Sequence, residues 1–383
     1  MDSTLFSPLS ATRAPNALPD SYWSRILILG LMLLPLQMIH IGIVQPVQFW
    51  AVLVLGVIIL YGQIRISLGE ALTYAAFMGF ALVATLFSNS PSFKTVEQLM
   101  KFGFLYPAFF LIGRALGSHF QCRALPYSYL LLWGVLVSQY LIQKLEVPYL
   151  FHDVYFMREA LYGTFKERNW LAIYFFLAAY LLFLQSSRRT TDILHFAVFS
   201  ITIALLSQSK TILIPVIMVV LLHVPHRGLL KVHLGVVGIA FYIWQFGDQL
   251  SGHYLQVRLE DERGLAFVET VKLISDNWLG YGFGFVEAYF SQLWFSIQGL
   301  GKGTNSVFSS PLDLMLIAGI PGFVFWLVFF AGVGLRAVAL LVPIAAWSLT
   351  NPLHQSEIVY LFMGILMSWG IQIKPLMPSK PST

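Results

Sequence analysis

From Ile26 to Gln372 the chain is a succession of long apolar runs joined mostly by short links. A helix that crosses a bilayer needs about 20 consecutive, mostly apolar residues. Runs of that kind lie at approximately 26–44, 47–62, 68–87, 96–113, 125–147, 169–185, 194–207, 211–223, 229–246, 308–333, 337–350 and 354–373. Hydrocarbon offers a backbone N–H or C=O no partner, so a segment inside it must satisfy those groups within a helix or a closed barrel. Barrel strands would be shorter and half polar. The runs therefore predict an all-α, polytopic membrane protein with about 12 transmembrane helices, or roughly 11–13. That range reflects Pro35, Pro107, Pro215 and Pro321, which interrupt several runs.

Composition excludes water as the solvent for the whole chain. Of its 383 residues 57% are hydrophobic and 11% charged, with a mean hydropathy of +0.74. A soluble domain carries roughly 25% charged residues to cover its surface. The single Cys122 excludes an intramolecular disulfide and a cysteine metal cluster. The first 22 residues, with Pro8, Pro15 and Pro19, read as a disordered tail, and the run from Ile26 is longer than the core of a cleavable signal peptide.

The net charge of +5 points to orientation rather than to nucleic acid. Lys and Arg accumulate in the cytoplasmic loops of membrane proteins. With the N-terminus inside, successive inner links hold Arg65, then Arg114 and Arg123, then Arg188 and Arg189, then Arg227 and Lys231, then Arg336. Lys374 and Lys380 follow in the C-terminal tail. Every second link is basic, which predicts an even number of spans with both termini in the cytoplasm. On this reading residues 1–25 form a cytoplasmic tail and 26–246 hold helices 1–9. Residues 247–307 form a large periplasmic loop, 308–373 hold helices 10–12, and 374–383 form a second cytoplasmic tail.

Two outer segments break the pattern of short links, 148–168 and 247–307. Long loops in compact proteins are usually functional. The second mixes charges with runs such as WLGYGFGF and YFSQLWF, which predicts interfacial or re-entrant helices on the outer leaflet. Its cations, and those of the first segment, stand on the side where cations are disfavoured. They are Arg158, Lys166 and Arg168, then Arg258, Arg263, Lys272 and Lys302, with Lys210 in the short turn LSQSKTIL. A guanidinium fork matches phosphate oxygens with two parallel hydrogen bonds, so the group points to an anionic phosphate ligand. For each residue the structural alternative is pairing with Glu159, Glu167, Glu260 or Glu262.

The nine His are scattered without HxxxH or HExxH spacing, which argues against a dedicated transition-metal site. No Walker loop occurs, and GYGFG at 280–284 is more ordinary as a tight turn than as a phosphate loop. No cofactor is expected.

Four segments, taken in order, resemble the O-antigen ligase and polymerase family (Wzy-like and WaaL-like proteins). GTFKERNWLAIYF (163–175) is similar to the family's Gly-x-Phe and Asn opening a helix. LLSQSKTILIPVIM (205–218) is similar to its Ser-Arg/Lys pair before an apolar helix. RGLAFVETVKLISDNWLGYGFG (263–284) looks like its Arg, interfacial helix and Gly-x-Gly turn. TNSVFSSPLDLMLIAGIPGFVFWLVFF (304–330) is similar to its His-Asn segment running into Gly-Ile-Pro-Gly.

The resemblance implies a polytopic glycosyltransferase of the bacterial inner membrane. Its substrate would be an oligosaccharide on polyprenyl diphosphate at the outer face, without nucleotide or metal. Membrane lipids, a chain-length regulator and a flippase would be its partners. A sugar hydroxyl would displace polyprenyl diphosphate from an anomeric carbon, so charge stabilisation and alignment would dominate catalysis. Arg263 is the first candidate for holding the diphosphate, followed by Arg258, Arg158, Arg168 and Lys210. Asn305 and Asn169 are candidates for orienting the loop or sugar hydroxyls, and helix capping is the alternative for Asn169. Family ligases carry His where this chain has Thr304, which favours a repeat-unit polymerase over a ligase acting on a lipid A core. Glu167, Asp153, His152, Glu260, His354 and Glu357 all qualify as a general base by position, and nothing in the sequence ranks them. The rival class is a secondary transporter or flippase, which would place its binding charges within the spans.

Overall fold

The computed structural model describes residues 20–39, 44–64, 66–88, 93–120, 125–147, 160–186, 190–223, 232–233, 235–236, 262–293, 306–332 and 334–372. All regular structure among them is helical. The helices are α1 (Asp20–Leu33), α2 (Pro46–Leu60), α3 (Leu68–Phe87), α4 (Phe93–Met100), α5 (Tyr106–Gly117), α6 (Leu125–Lys144) and α7 (Arg168–Gln185). They continue with α8 (Thr190–Ser207), α9 (Leu213–His223), α10 (Glu262–Asp276), α11 (Phe285–Phe290), α12 (Ser310–Ala331), α13 (Leu335–Ser348) and α14 (Glu357–Gln372). Among the described residues five helical stretches are long and apolar enough to cross a membrane: Leu68–Phe87, Phe93–Gly117, Arg168–Gln185, Thr190–Ser207 and Ser310–Ala331. Each expected run overlaps a helix except 229–246, most of which lies outside the described residues. Helix α1 departs furthest, beginning at Asp20 inside the stretch read as a disordered tail and ending at Leu33, well short of the expected 44. The outer faces of α2 and α3 leave Phe49, Leu53, Leu60, Leu72, Leu86 and Phe87 exposed, an apolar surface that suits lipid.

The centre of the bundle is the pair α5 and α14. In lipid there is little hydrophobic force between helices, so small residues that allow backbones to approach closely decide where they pack. Gly113 and Gly117 stand one turn apart on α5. A Cβ at Gly113 would collide with the Leu361 carbonyl, and one at Gly364 of α14 with the Phe110 carbonyl. Tyr106 stacks on Tyr360 across the same seam, with ring centroids 4.7 Å apart. The aromatic face of α7, with Phe175, Phe176 and Tyr180, is buried nearby in the same core.

Two prolines expected to interrupt helices are handled differently. Before Pro107 the chain takes a π-helical turn, Lys101–Leu105, and α4 runs on into α5. Such a turn absorbs the missing N–H without ending the helix. In α12 the break is real: Gly319 stands at φ 71°, ψ 177°. Pro321 leaves the Ile317 carbonyl without its helical donor, and Gly282 N donates to it at 3.0 Å. Tyr281 N donates to the Leu316 carbonyl (2.6 Å), while Ile320 N donates to the Trp278 carbonyl (2.9 Å). The expected tight turn at 280–284 is thus a segment laid across a broken helix. Positive φ at Gly280, Gly282 and Gly284, of 87°, 89° and 80°, explains why glycine recurs there.

Helix ends sort into two groups. At one end Arg114 of α5 donates through Nη1 to Glu70 Oε1, and Glu70 also closes a capping box with Ser67. The Trp369 indole of α14 donates to the Gly117 carbonyl (2.8 Å), and Gln185 of α7 to the Phe120 carbonyl (2.9 Å). In sequence, the links between these helix ends carry Arg65, Arg123, Arg188 and Arg189, and Arg336, expected in a link, is the second residue of α13. The opposite end holds a continuous run of polar contacts.

Candidate active site at one end of the bundle

That opposite end begins with segment 160–165, ALYGTF, which is buried and not helical. Gln143 Oε1 accepts from the N–H groups of Tyr162 (2.8 Å) and Gly163 (2.9 Å). Gln139 Oε1 accepts from Thr164 N at 2.7 Å, and the Thr164 hydroxyl donates to the Pro35 carbonyl at 2.6 Å. Leu161 N donates to the Leu206 carbonyl at the end of α8. Non-helical backbone at this depth is tolerable only because its groups are paired in this way.

The buried strip leads into Arg168 and Asn169 at the start of α7. Ser209 Oγ donates to Asn169 Oδ1 at 3.1 Å, tying the first sequence motif to the second. Arg168 and Lys210, the chain neighbours of these two residues, are both half-buried. Lys210 opens a short 3-10 turn, Lys210–Ile212. Thr211 in that turn accepts from Asn351 Nδ2 and from the Trp347 indole, each at 2.9 Å. The contacts then reach the fourth motif: Ser310 Oγ donates to the Asn351 carbonyl (2.9 Å) and accepts from His354 N (3.2 Å).

At the end of this chain of contacts stand Asp313 and His354, both with fully buried side chains. Asp313 accepts from Ser306 Oγ (2.5 Å) and Val307 N (2.8 Å). His354 Nε2 lies 3.9 Å from Asp313 Oδ2. Asp313 carries no role in the sequence reading. Its signal there is a lone carboxylate four residues into an apolar span, which is expensive in a membrane and usually functional.

Two short helices cover the start of α12. Ala266 and Leu273 of α10, Val286 and Phe290 of α11, and Val307 and Leu316 form a second small core. The Tyr289 hydroxyl donates to Glu269, and that bond pushes the phenol up to about 12. Segment 280–284 is held on its other side by α3 and α4: Phe283 N donates to Thr85 Oγ1 and Gly284 N to Gln98 Oε1, each at 2.8 Å.

Of the residues singled out in the sequence, Asn169, Arg168 and Lys210 are brought together. Arg263 lies in the first turn of α10. Arg158, Arg258 and Asn305 lie outside the described residues, as do Lys302, His152, Asp153 and Glu260. Lys166, Glu167 and Lys272 are exposed. Glu357, at the head of α14, accepts from Gln48 Nε2 at 3.2 Å. No group of three or more His, Cys, Asp or Glu able to hold a metal ion occurs among the described residues. No known family model matches the chain, and no curated protein matches it either.

Proposed function

We propose that the chain is a polytopic glycosyltransferase that polymerises oligosaccharide repeat units carried on polyprenyl diphosphate, working at the outer face of a bacterial inner membrane. On this reading about 12 spans place both termini in the cytoplasm. One observation carries the proposal. Three segments that resemble the O-antigen polymerase and ligase family, far apart in sequence, meet in one hydrogen-bonded polar cluster through Asn169, Ser209, Thr211 and Ser310. The fourth is laid against the same helix, α12, at its break. Charge stabilisation on the leaving diphosphate falls to Lys210 and Arg168 beside the cluster and to Arg263 in α10, with Arg258 and Arg158 as further cations. Asn169 and Asn305 orient the loop backbone or sugar hydroxyls.

The rival transporter reading gains nothing from the broken helix. In transporters the freed carbonyls of such breaks coordinate ions, whereas here the carbonyls of Leu316 and Ile317 are taken by the backbone of Tyr281 and Gly282. The ligase reading is favoured by one observation, the imidazole of His354 at this end, which offsets the Thr304 departure. A deletion strain tests all three. Loss of a polymerase leaves single repeat units and no long chains, and loss of a ligase leaves long chains on polyprenyl diphosphate. An unchanged glycan profile with a solute failing to cross the membrane rejects the glycosyltransferase reading.

A further inference from the structure

Consecutive helices joined by a short link ordinarily pack against each other along their length. Helices α12 and α13 are joined by residues 332–334 alone, yet a cavity of about 360 Å³ lies between them, with α14 as its floor. Phe323 and Trp326 of α12, Leu341 and Ile344 of α13 and Met363 of α14 form its walls. Its lining on α13 runs from Val338 to Ser348, about 15 Å of helix, so the space is elongated along the helix. Leu327 on α12 and Leu349 just after α13 stand at its edge and are exposed. The small side chains of Ala331 and Ala345 leave it open between them. On α12 the same exposed apolar surface continues through Val324 and Val328.

Protein interiors hold few voids larger than a water molecule. An apolar cavity of only about 150 Å³ stays dry yet takes up benzene, and this one is more than twice that size and opens onto a lipid-facing surface. Water finds few partners in it. Ser310 and Ser348 mark the end next to the polar cluster, and their hydroxyls already donate to the carbonyls of Asn351 and Ala345. The filling that suits such walls is therefore a hydrocarbon chain from the bilayer. Two kinds of membrane lipid carry one. A polyprenyl carrier ends in a diphosphate, which calls for cations where its tail enters, and no Lys or Arg is among the described residues that line the cavity. A bilayer phospholipid leaves its phosphate in the headgroup layer and brings only an acyl chain.

We propose that the cleft between α12 and α13 is the seat of one acyl chain of a bilayer phospholipid, which props the two helices apart. The chain supplies the packing that α13 does not give to α12 beyond its break at Gly319. In this way a lipid becomes part of the wall of the bundle, and the stability of α12 and α13 depends on it. The site is independent of the reaction that the protein performs.

The test uses the full chain, purified in detergent, stripped of lipid and titrated with phosphatidylglycerol whose acyl chains are dibrominated. Bromine quenches indole fluorescence only at close range, and Trp326 lines the cleft. The expected result is a component of quenching that saturates at about one lipid per chain. The melting temperature should rise with it, because a ligand that binds only the folded state stabilises that state. Trp326→Phe should lose this component of quenching and keep the thermal rise. Ala345→Phe, which puts a ring into the cleft, should raise the lipid concentration for half-quenching at least about tenfold. Stripped of lipid, it should melt where the wild type melts with lipid bound. Val137→Phe adds the same ring at an exposed position of α6 and should change neither readout. Quenching that never saturates, or that saturates equally in Trp326→Phe, overturns the proposal. So does displacement of the brominated lipid by an equal amount of polyprenyl diphosphate, which would assign the cleft to the carrier's tail. If Ala345→Phe fails to insert, the Trp326→Phe comparison decides alone.

Discussion

Substituting Gly282 by Ala tests how segment 280–284 is joined to the broken helix α12. Gly282 stands at φ 89°, where a residue with a Cβ loses about 1–2 kcal/mol. Its Cβ would also overlap the Thr85 backbone, so segment 280–284 cannot keep its seat on α3. Displacing it breaks the bond from Gly282 N to the Ile317 carbonyl, whose helical partner would have been the imino position of Pro321. A buried carbonyl left unsatisfied costs about 1–3 kcal/mol. Together these give about 2–5 kcal/mol, a large share of the roughly 5–15 kcal/mol that holds a protein folded. The expected outcome is a marked fall in melting temperature in detergent, read by a thermal shift on purified protein, and loss of glycan product in complementation. Gly134→Ala on α6 is the control, because nothing lies within 4 Å of its Cβ position. Removing a helix-interior Gly there should be neutral or stabilise by about 0.5–1 kcal/mol. A Gly282→Ala protein that melts with wild type would refute the docking of this segment into the break of α12.

At the other end, Glu70→Ala should destabilise by about 3–5 kcal/mol, because it leaves Arg114 as an uncompensated buried charge. Replacing both partners with apolar residues should recover much of that loss in the same melting assay. Arg263→Ala should cut polymer turnover about tenfold to a hundredfold, in line with a charge-assisted bond of about 1.5–3 kcal/mol. Arg263→Lys should rescue only in part, since the bidentate fork is lost, and normal turnover from a well-inserted Arg263→Ala removes that residue from the site. Reporter fusions at Gly252 and Ser379 should fall on opposite sides of the membrane, and agreement between them would mean the number of spans is wrong.

Helix placement was legible in the sequence because it depends on a one-dimensional quantity, the length of apolar chain needed to satisfy backbone groups in hydrocarbon. Leu68–Phe87 coincides with its expected run to the residue, and α6, α7 and α8 lie within a few residues of theirs. The paired Gly113 and Gly117, the glycines of GYGFG and the Ser67–Glu70 capping box are likewise readable as local patterns with local physical causes. What those patterns touch was not readable. Pro107 and Pro321 look alike in sequence, yet one is absorbed by a π turn and the other sits at a true break, because only the second has a neighbouring backbone segment to take the freed carbonyls. Asp313 and His354 are 41 positions apart (354 minus 313), and no periodicity links them. They meet because Ser310 and Asn351 tie the start of α12 to the turn before α14. Side-chain convergence of that kind is a property of helix packing, which depends on shape in three dimensions. The apolar pattern determined that the chain forms membrane-length helices, and only the tertiary structure decided which polar residues share an end and face one another.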